Sequence, residues 1–163
     1  SLLARVPDLA GRARYRFLDL VRHFAREQAT SAMRDRARRR HVEYHVTLAA
    51  QLDSRIRTAE AMAWAAVARG CADDLRAAAS YAIDRRSASA GGLVADLYWP
   101  WFLDGYLAEL RSWATAALGF ESDPRIHARL LRVSASTALA QGDTAAAVDA
   151  ACRQPIHNQG RAF

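Results

Sequence analysis

The sequence predicts an all-α fold: a tandem array of helical hairpins preceded by a short N-terminal β-hairpin. Three observations predict it. First, Gly70, Gly105 and Gly142 recur 35 and 37 residues apart, each closing one helix-like stretch shortly before another opens. Aligned on these glycines, Val67, Phe102 and Leu139 lie three residues before. Leu75, Leu110 and Ala147 lie five after, and Ala78, Trp113 and Ala150 eight after. A period in the mid-thirties with this layout is the signature of stacked helical pairs. Second, the hydrophobic fraction is 52% and dominated by Ala, which favours close helix packing over sheet. Third, only four prolines and eight glycines interrupt the 163 residues, and β-branched residues are scarce. Arrays of this kind present surfaces and seldom perform chemistry, so a scaffold is expected rather than a catalyst.

The elements follow in order. Leu2–Val6 is a short apolar run, Pro7–Gly11 carries turn residues, and Ala13–Phe17 alternates polar and apolar, which together read as a β-hairpin. Phe17, Leu18, Val21, Phe24 and Ala25 then recur at helical spacing, predicting a helix over about 18–29 with one apolar stripe. Thr30 and Ser31 are suited to cap a longer helix whose stripe runs through Ala37, His41, Tyr44, His45, Leu48, Ala49, Leu52 and Ile56. The first hairpin pairs 59–68 with 73–84, where Asp73 and Asp74 favour the positive end of the helix they open. Ser, Ala and Gly over 87–92 suggest a linker. The second hairpin pairs 93–103 with 106–118, and Pro100 is expected to kink or split its first helix. Pro124 suits a first helical position, opening a third pair, 125–141 with 144–153, and an irregular tail over 154–163.

Charge is uneven. All 23 basic residues are arginine, and 14 of them face 7 acids in residues 1–69, a balance of +7. Residues 70–163 carry 9 arginines against 10 acids, a balance of −1, so the basic character belongs to the N-terminal part. Cys71 and Cys152 are isolated and without metal-ligand spacing, which suits reduced thiols in cytoplasm. No apolar run reaches the ~18 residues that span a bilayer, and no membrane partner is expected.

Three clusters are candidates for function. His41 and His45 stand four apart on one helix, a spacing able to hold zinc, but no further ligand accompanies them. Two imidazoles lining a helix seam is the plainer reading, so no metal and no cofactor is assigned. Arg34, Arg36, Arg38, Arg39 and Arg40 form the sharpest charge run. Phosphate neutralisation would suit nucleic acid. The run is expected to spread around its helix and lacks interleaved aromatics, which favours a solvated or interdomain face. Tyr98, Trp99, Trp101, Phe102, Tyr106 and Trp113 gather around Pro100. Such rings are usually core, and the remaining reading is a groove for a peptide or small effector. No Ser-His-Asp, Cys-His or paired-carboxylate set can be assembled, so no catalytic residue is assigned and no enzyme is expected.

The stretches RYRFLDLVRHFARE (Arg14–Glu27) and RRRHVEYHVTLAA (Arg38–Ala50) resemble LuxR-type and antibiotic-regulator-type transcription factors built on a STAND-class signalling NTPase. DDLRAAASYAI (Asp73–Ile83) is similar to the element that opens that family's repeat region, with Asp74 in place of its usual Asn. Phe102–Leu118 and Ala138–Cys152 look like its tetratricopeptide-like repeats. The resemblance implies a winged-helix C-terminal remnant over 1–29, a linking helix over 30–58, repeats over 59–153 and a tail over 154–163. It also implies a cytoplasmic sensor segment that binds a partner or effector and signals to an ATPase core, with DNA reached through the parent protein. The phosphate loop and DNA-reading helix of that family are absent from this stretch, which is expected to be part of a longer polypeptide. A protein partner, the ATPase core of the same polypeptide, or a second copy are the partners this reading names. Two other readings stay open: a stand-alone DNA-binding module using the basic N-terminal region, and a small-molecule-binding helical domain using the aromatic groove.

Overall fold

A computed structural model describes residues 3–6 and 14–153. Among these, helix dominates. The chain divides into two compact units, Ser1–Tyr81 and Ala82–Phe163, with the division falling inside a helix.

In the first unit, β1 (Leu3–Val6) and β2 (Arg14–Phe17) pair antiparallel, with Leu3 opposite Phe17 and Val6 opposite Arg14. The turn expected over Pro7–Gly11 lies outside the described residues. The next helix, α1 (Asp19–Gln28), opens on an acid at its positive end. Of its expected apolar stripe, Leu18 is 48% and Phe24 62% exposed, Ala25 is exposed and Val21 half-buried.

The long helix α2 (Ser31–Arg55) starts where Thr30 Oγ1 accepts the Met33 amide at 3.2 Å, satisfying a backbone donor that the first turn leaves without an intrahelical partner. None of its first ten residues is buried, and only Asp35 is even half-buried. Burial begins at Val42 and continues through His45, Leu48, Ala49, Leu52 and, at the C-cap, Ile56. Two members of the expected stripe, Ala37 and Tyr44, are exposed instead, because the apolar spacing over 37–44 drifts off the face that Val42 and Ala49 define.

Packed against α2 is α3 (Ala61–Gly70), and Cys71 alone separates it from α4 (Ala72–Asp84). Gly70 is the last helical residue, and its φ is not left-handed. Leu75, Ala78 and Ala79 of α4 are wholly buried, while Asp73 and Asp74 occupy its first turn.

The second unit begins as α4 ends. There the Ser87 amide donates to the Ala82 carbonyl at 2.8 Å and the Arg86 amide to the Ile83 carbonyl at 2.9 Å, with Arg86 left-handed at φ 48°. This is a Schellman turn built on a non-glycine residue. The same pair of bonds closes α6 (Tyr98–Leu103), through Tyr106 to Trp101 and Gly105 to Phe102. It recurs after α8 (Pro124–Ala140), through Asp143 to Ala138 and Gly142 to Leu139. Gly105 and Gly142 supply the left-handed residue, at φ 80° and 79°.

The expected linker over 87–92 is not one. Ser87 and Ser89 make a hydroxyl-bonded turn, and α5 (Ala90–Asp96) starts at once with Ala90 and Gly91 buried. A Cβ on Gly91 would run into the Glu121 carboxylate and sit 2.9 Å from Ile126 Cγ2, so glycine here permits close approach of the 121–126 segment. Pro100 separates α5 from α6 at Leu97. It offers no N–H to the Asp96 carbonyl, and its ring crowds that oxygen, so the α-helical ladder breaks one turn earlier.

Beyond these lie α7 (Leu107–Leu118) and α9 (Thr144–Cys152). Asp123 caps α8 by accepting from the Arg125 amide at 2.8 Å, with Pro124 at the first helical position. α8 packs on both α7 and α9, and α5 packs on α7 and α8. Leu93, Leu97, Trp101, Leu110, Leu130 and Val133 make the core of this unit, each Leu contributing about 1.5–3 kcal/mol by its burial. Buried Thr137 donates its hydroxyl to the Val133 carbonyl at 2.8 Å, so its polarity carries no desolvation penalty.

Candidate functional site

The five arginines of the run are all exposed. At about 100° per residue, Arg36, Arg39 and Arg40 fall within roughly a 100° arc opposite the buried stripe of Val42, Ala49 and Leu52. The five arginines spread over both sides of the helix. Arg34 and Arg38 lie on the stripe's own side, where the Arg38 guanidinium carbon stands 5.8 Å from the centre of the Tyr81 ring, within cation–π range. No acid occupies the first turn of α2 to offset this charge.

One turn further on, the rings of His41 and His45 lie 4.1 Å apart. His45 is buried, and its Nδ1–H donates to the His41 carbonyl at 2.7 Å, since a carbonyl can only accept. His41 Nε2 lies 3.9 Å from Asp74 Oδ1, tying α2 to α4. Among the described residues no group of three or more His, Cys, Asp or Glu could hold a metal ion.

The aromatic cluster separates into core and rim. Trp101 is buried and donates Nε1–H to Glu109 Oε2 at 2.7 Å, with Trp113 and Tyr106 rings 5.8 and 6.0 Å away. Tyr98 and Trp113 are also buried, and the Arg132 guanidinium lies 5.6 Å from the Tyr98 ring centre. Trp99 and Phe102 are half-buried and Tyr106 is exposed, so these three are the members of the cluster that a partner can reach.

A polar junction that sequence reasoning missed sits where α7 meets the turn before α9. Arg111 donates to Asp143 Oδ2 at 2.6 Å and to Gln141 Oε1 at 3.1 Å, while Asp143 Oδ1 caps α9 by accepting the Ala146 amide. The Arg111 hydrogen bond, then the Ala146 amide, hold the Asp143 carboxyl below the ordinary carboxylate range. Arg111 and Gln141 also line an open depression with Ala108, Ser112, Thr115 and Ala116. Nothing local to Asp143 announces a partner 32 residues away.

Cys71 is half-buried and Cys152 exposed, both as free thiols. Among the described residues no helix is long and apolar enough to cross a membrane. No family model, curated protein or solved structure matches this chain.

Proposed function

We propose that this chain is a non-catalytic interaction and sensor segment of a signal-transducing transcriptional regulator, whose tetratricopeptide-like helical pairs bind a partner or effector. One observation carries the reading. The aligned positions Leu75, Leu110 and Ala147, and Ala78, Trp113 and Ala150, are buried in every one of the three glycine-aligned segments. Equivalent burial at two of the three aligned positions supports a repeat, while the third, Val67, Phe102 and Leu139, is half-buried or exposed. Support also comes from Gly105 and Gly142, which end helices by the same turn 37 residues apart. On this reading the paired strands and α1 are the end of a winged-helix domain, the protein works in the cytoplasm, and the ATPase core of the parent polypeptide is the intramolecular partner.

Trp99, Phe102 and Tyr106 are the residues through which such a segment would take a peptide or small effector. The test is a thermal-shift screen of peptides and metabolites followed by Trp emission, because any native-state ligand raises the melting temperature. A hit whose shift disappears in W99A, F102A or Y106A supports the proposal. Hits that survive all three variants contradict it.

A further inference from the structure

We propose that the first three turns of α2 dock on the phosphate backbone of B-form duplex DNA through Arg36, Arg39 and Arg40. This is independent of the repeats and of any ligand they bind. Four observations converge on it. Residues 31–40 form about 15 Å of regular helix with no buried side chain, and Arg38, over the Tyr81 ring, is on the side away from Arg36, Arg39 and Arg40. Its three outward arginines share one face, and guanidinium groups bind phosphate bidentately and stay charged at every working pH. The run holds a single acid, Asp35, against five arginines. Finally, residues 1–69 hold the chain's whole positive excess, which supplies long-range attraction toward a polyanion.

The dimensions fit. Arg36 and Arg40 are about 6 Å apart along the helix axis, and a duplex offers one phosphate per ~1.7 Å of its own axis, so each of the three arginines has a phosphate within reach. A helix whose arginine face is open can approach the major groove, about 12 Å wide, whereas the deep narrow groove of duplex RNA excludes it. Single strands are disfavoured because no aromatic ring interleaves the run for base stacking.

Fluorescence anisotropy of the full chain with a labelled 20-base-pair duplex between 50 and 200 mM KCl tests this. Three phosphate contacts give a log–log slope of about −2.7, which is about a 40-fold loss of affinity over that range. R36Q/R39Q/R40Q should flatten the slope by about that amount, each arginine removed counting for about one. The variant R85Q/R125Q/R153Q removes equal charge elsewhere and should leave the slope near the wild-type value. Equal losses in both variants, wild-type slope in the first variant, or capture by phosphatidylserine vesicles with no duplex binding would each overturn the proposal. Tighter binding to duplex RNA than to DNA would also overturn it.

Discussion

Replacing Gly142, Gly92 and Gly91 by Ala, one at a time, applies the same chemical change to three backbone situations and should give opposite signs. Gly142 is left-handed at φ 79°, and a Cβ there meets nothing within 4 Å, so only the backbone conformation is at stake. That conformation costs an L-residue roughly 1–2 kcal/mol, offset by about 0.4–1 kcal/mol because Ala restricts the unfolded chain. The net loss is about 1 kcal/mol. Gly92 lies inside α5, and its Cβ would make an ordinary contact 3.9 Å from Ile126 Cδ1. G92A should therefore stabilise by about 0.5–1 kcal/mol, the usual gain for Ala over Gly in a helix. Gly91 differs again. Its Cβ collides with the Glu121 carboxylate and lies 2.9 Å from Ile126 Cγ2, so overpacking of about 1–3 kcal/mol outweighs the helical gain. Urea unfolding read by far-ultraviolet circular dichroism and Trp emission measures all three. In thermal melts, a second unit unfolding by itself should shift by about 4–8 °C per kcal/mol. A G142A protein as stabilised as G92A would refute the left-handed turn and the helix end built on it.

Two further predictions rest on the same turns. Arg86 holds its left-handed φ while donating to the Gly119 carbonyl at 3.3 Å and lying over the Phe120 ring, so R86A keeps the strain and loses the contacts. R86G should exceed R86A in stability by about 1 kcal/mol in denaturant melts, and the reverse order would contradict the assignment. Asp143 titrates below the ordinary value of 3.8 because the folded state favours its charged form, chiefly through Arg111. Its stabilisation is therefore present above about 3.8 and lost as pH falls through the lower folded-state value. D143N keeps the cap but not the charge, so its melting-temperature deficit at pH 7 should close below 3.8. A deficit that persists undiminished in acid argues against the Arg111 contact.

Much of the helical content was legible because its signals are local. Thr30, Asp123 and Pro124 start helices where capping chemistry says they should, and Gly105 and Gly142 end them. Gly70 misled in one respect: α3 stops there by a break at Cys71, and the left-handed position of the first segment falls on Arg86, a residue type that carries no turn signal. The Ser/Ala/Gly composition of 87–92 reads as linker, yet Gly91 is small because Glu121 and Ile126 press on it. Periodicity shows that α1 is amphipathic but says nothing about what its apolar face meets, and Leu18 and Phe24 are exposed. For the candidate surfaces, the arginine run was visible as charge, whereas which of its members, Arg36, Arg39 and Arg40, point away from the buried stripe depended on knowing where that stripe lies. The Arg111–Asp143 pair joins residues far apart in the chain, beyond the reach of any short motif.

Residue-resolved amide hydrogen exchange on the intact chain tests most directly whether short helices stabilise one another in sequence while the first ten residues of α2 stay unburied. Slowest exchange is expected in α8 over 130–138, which packs on both α7 and α9, and along α2 protection should rise sharply past Val42. Uniform protection from 31 to 55, or an α8 that exchanges as fast as α1, would contradict it.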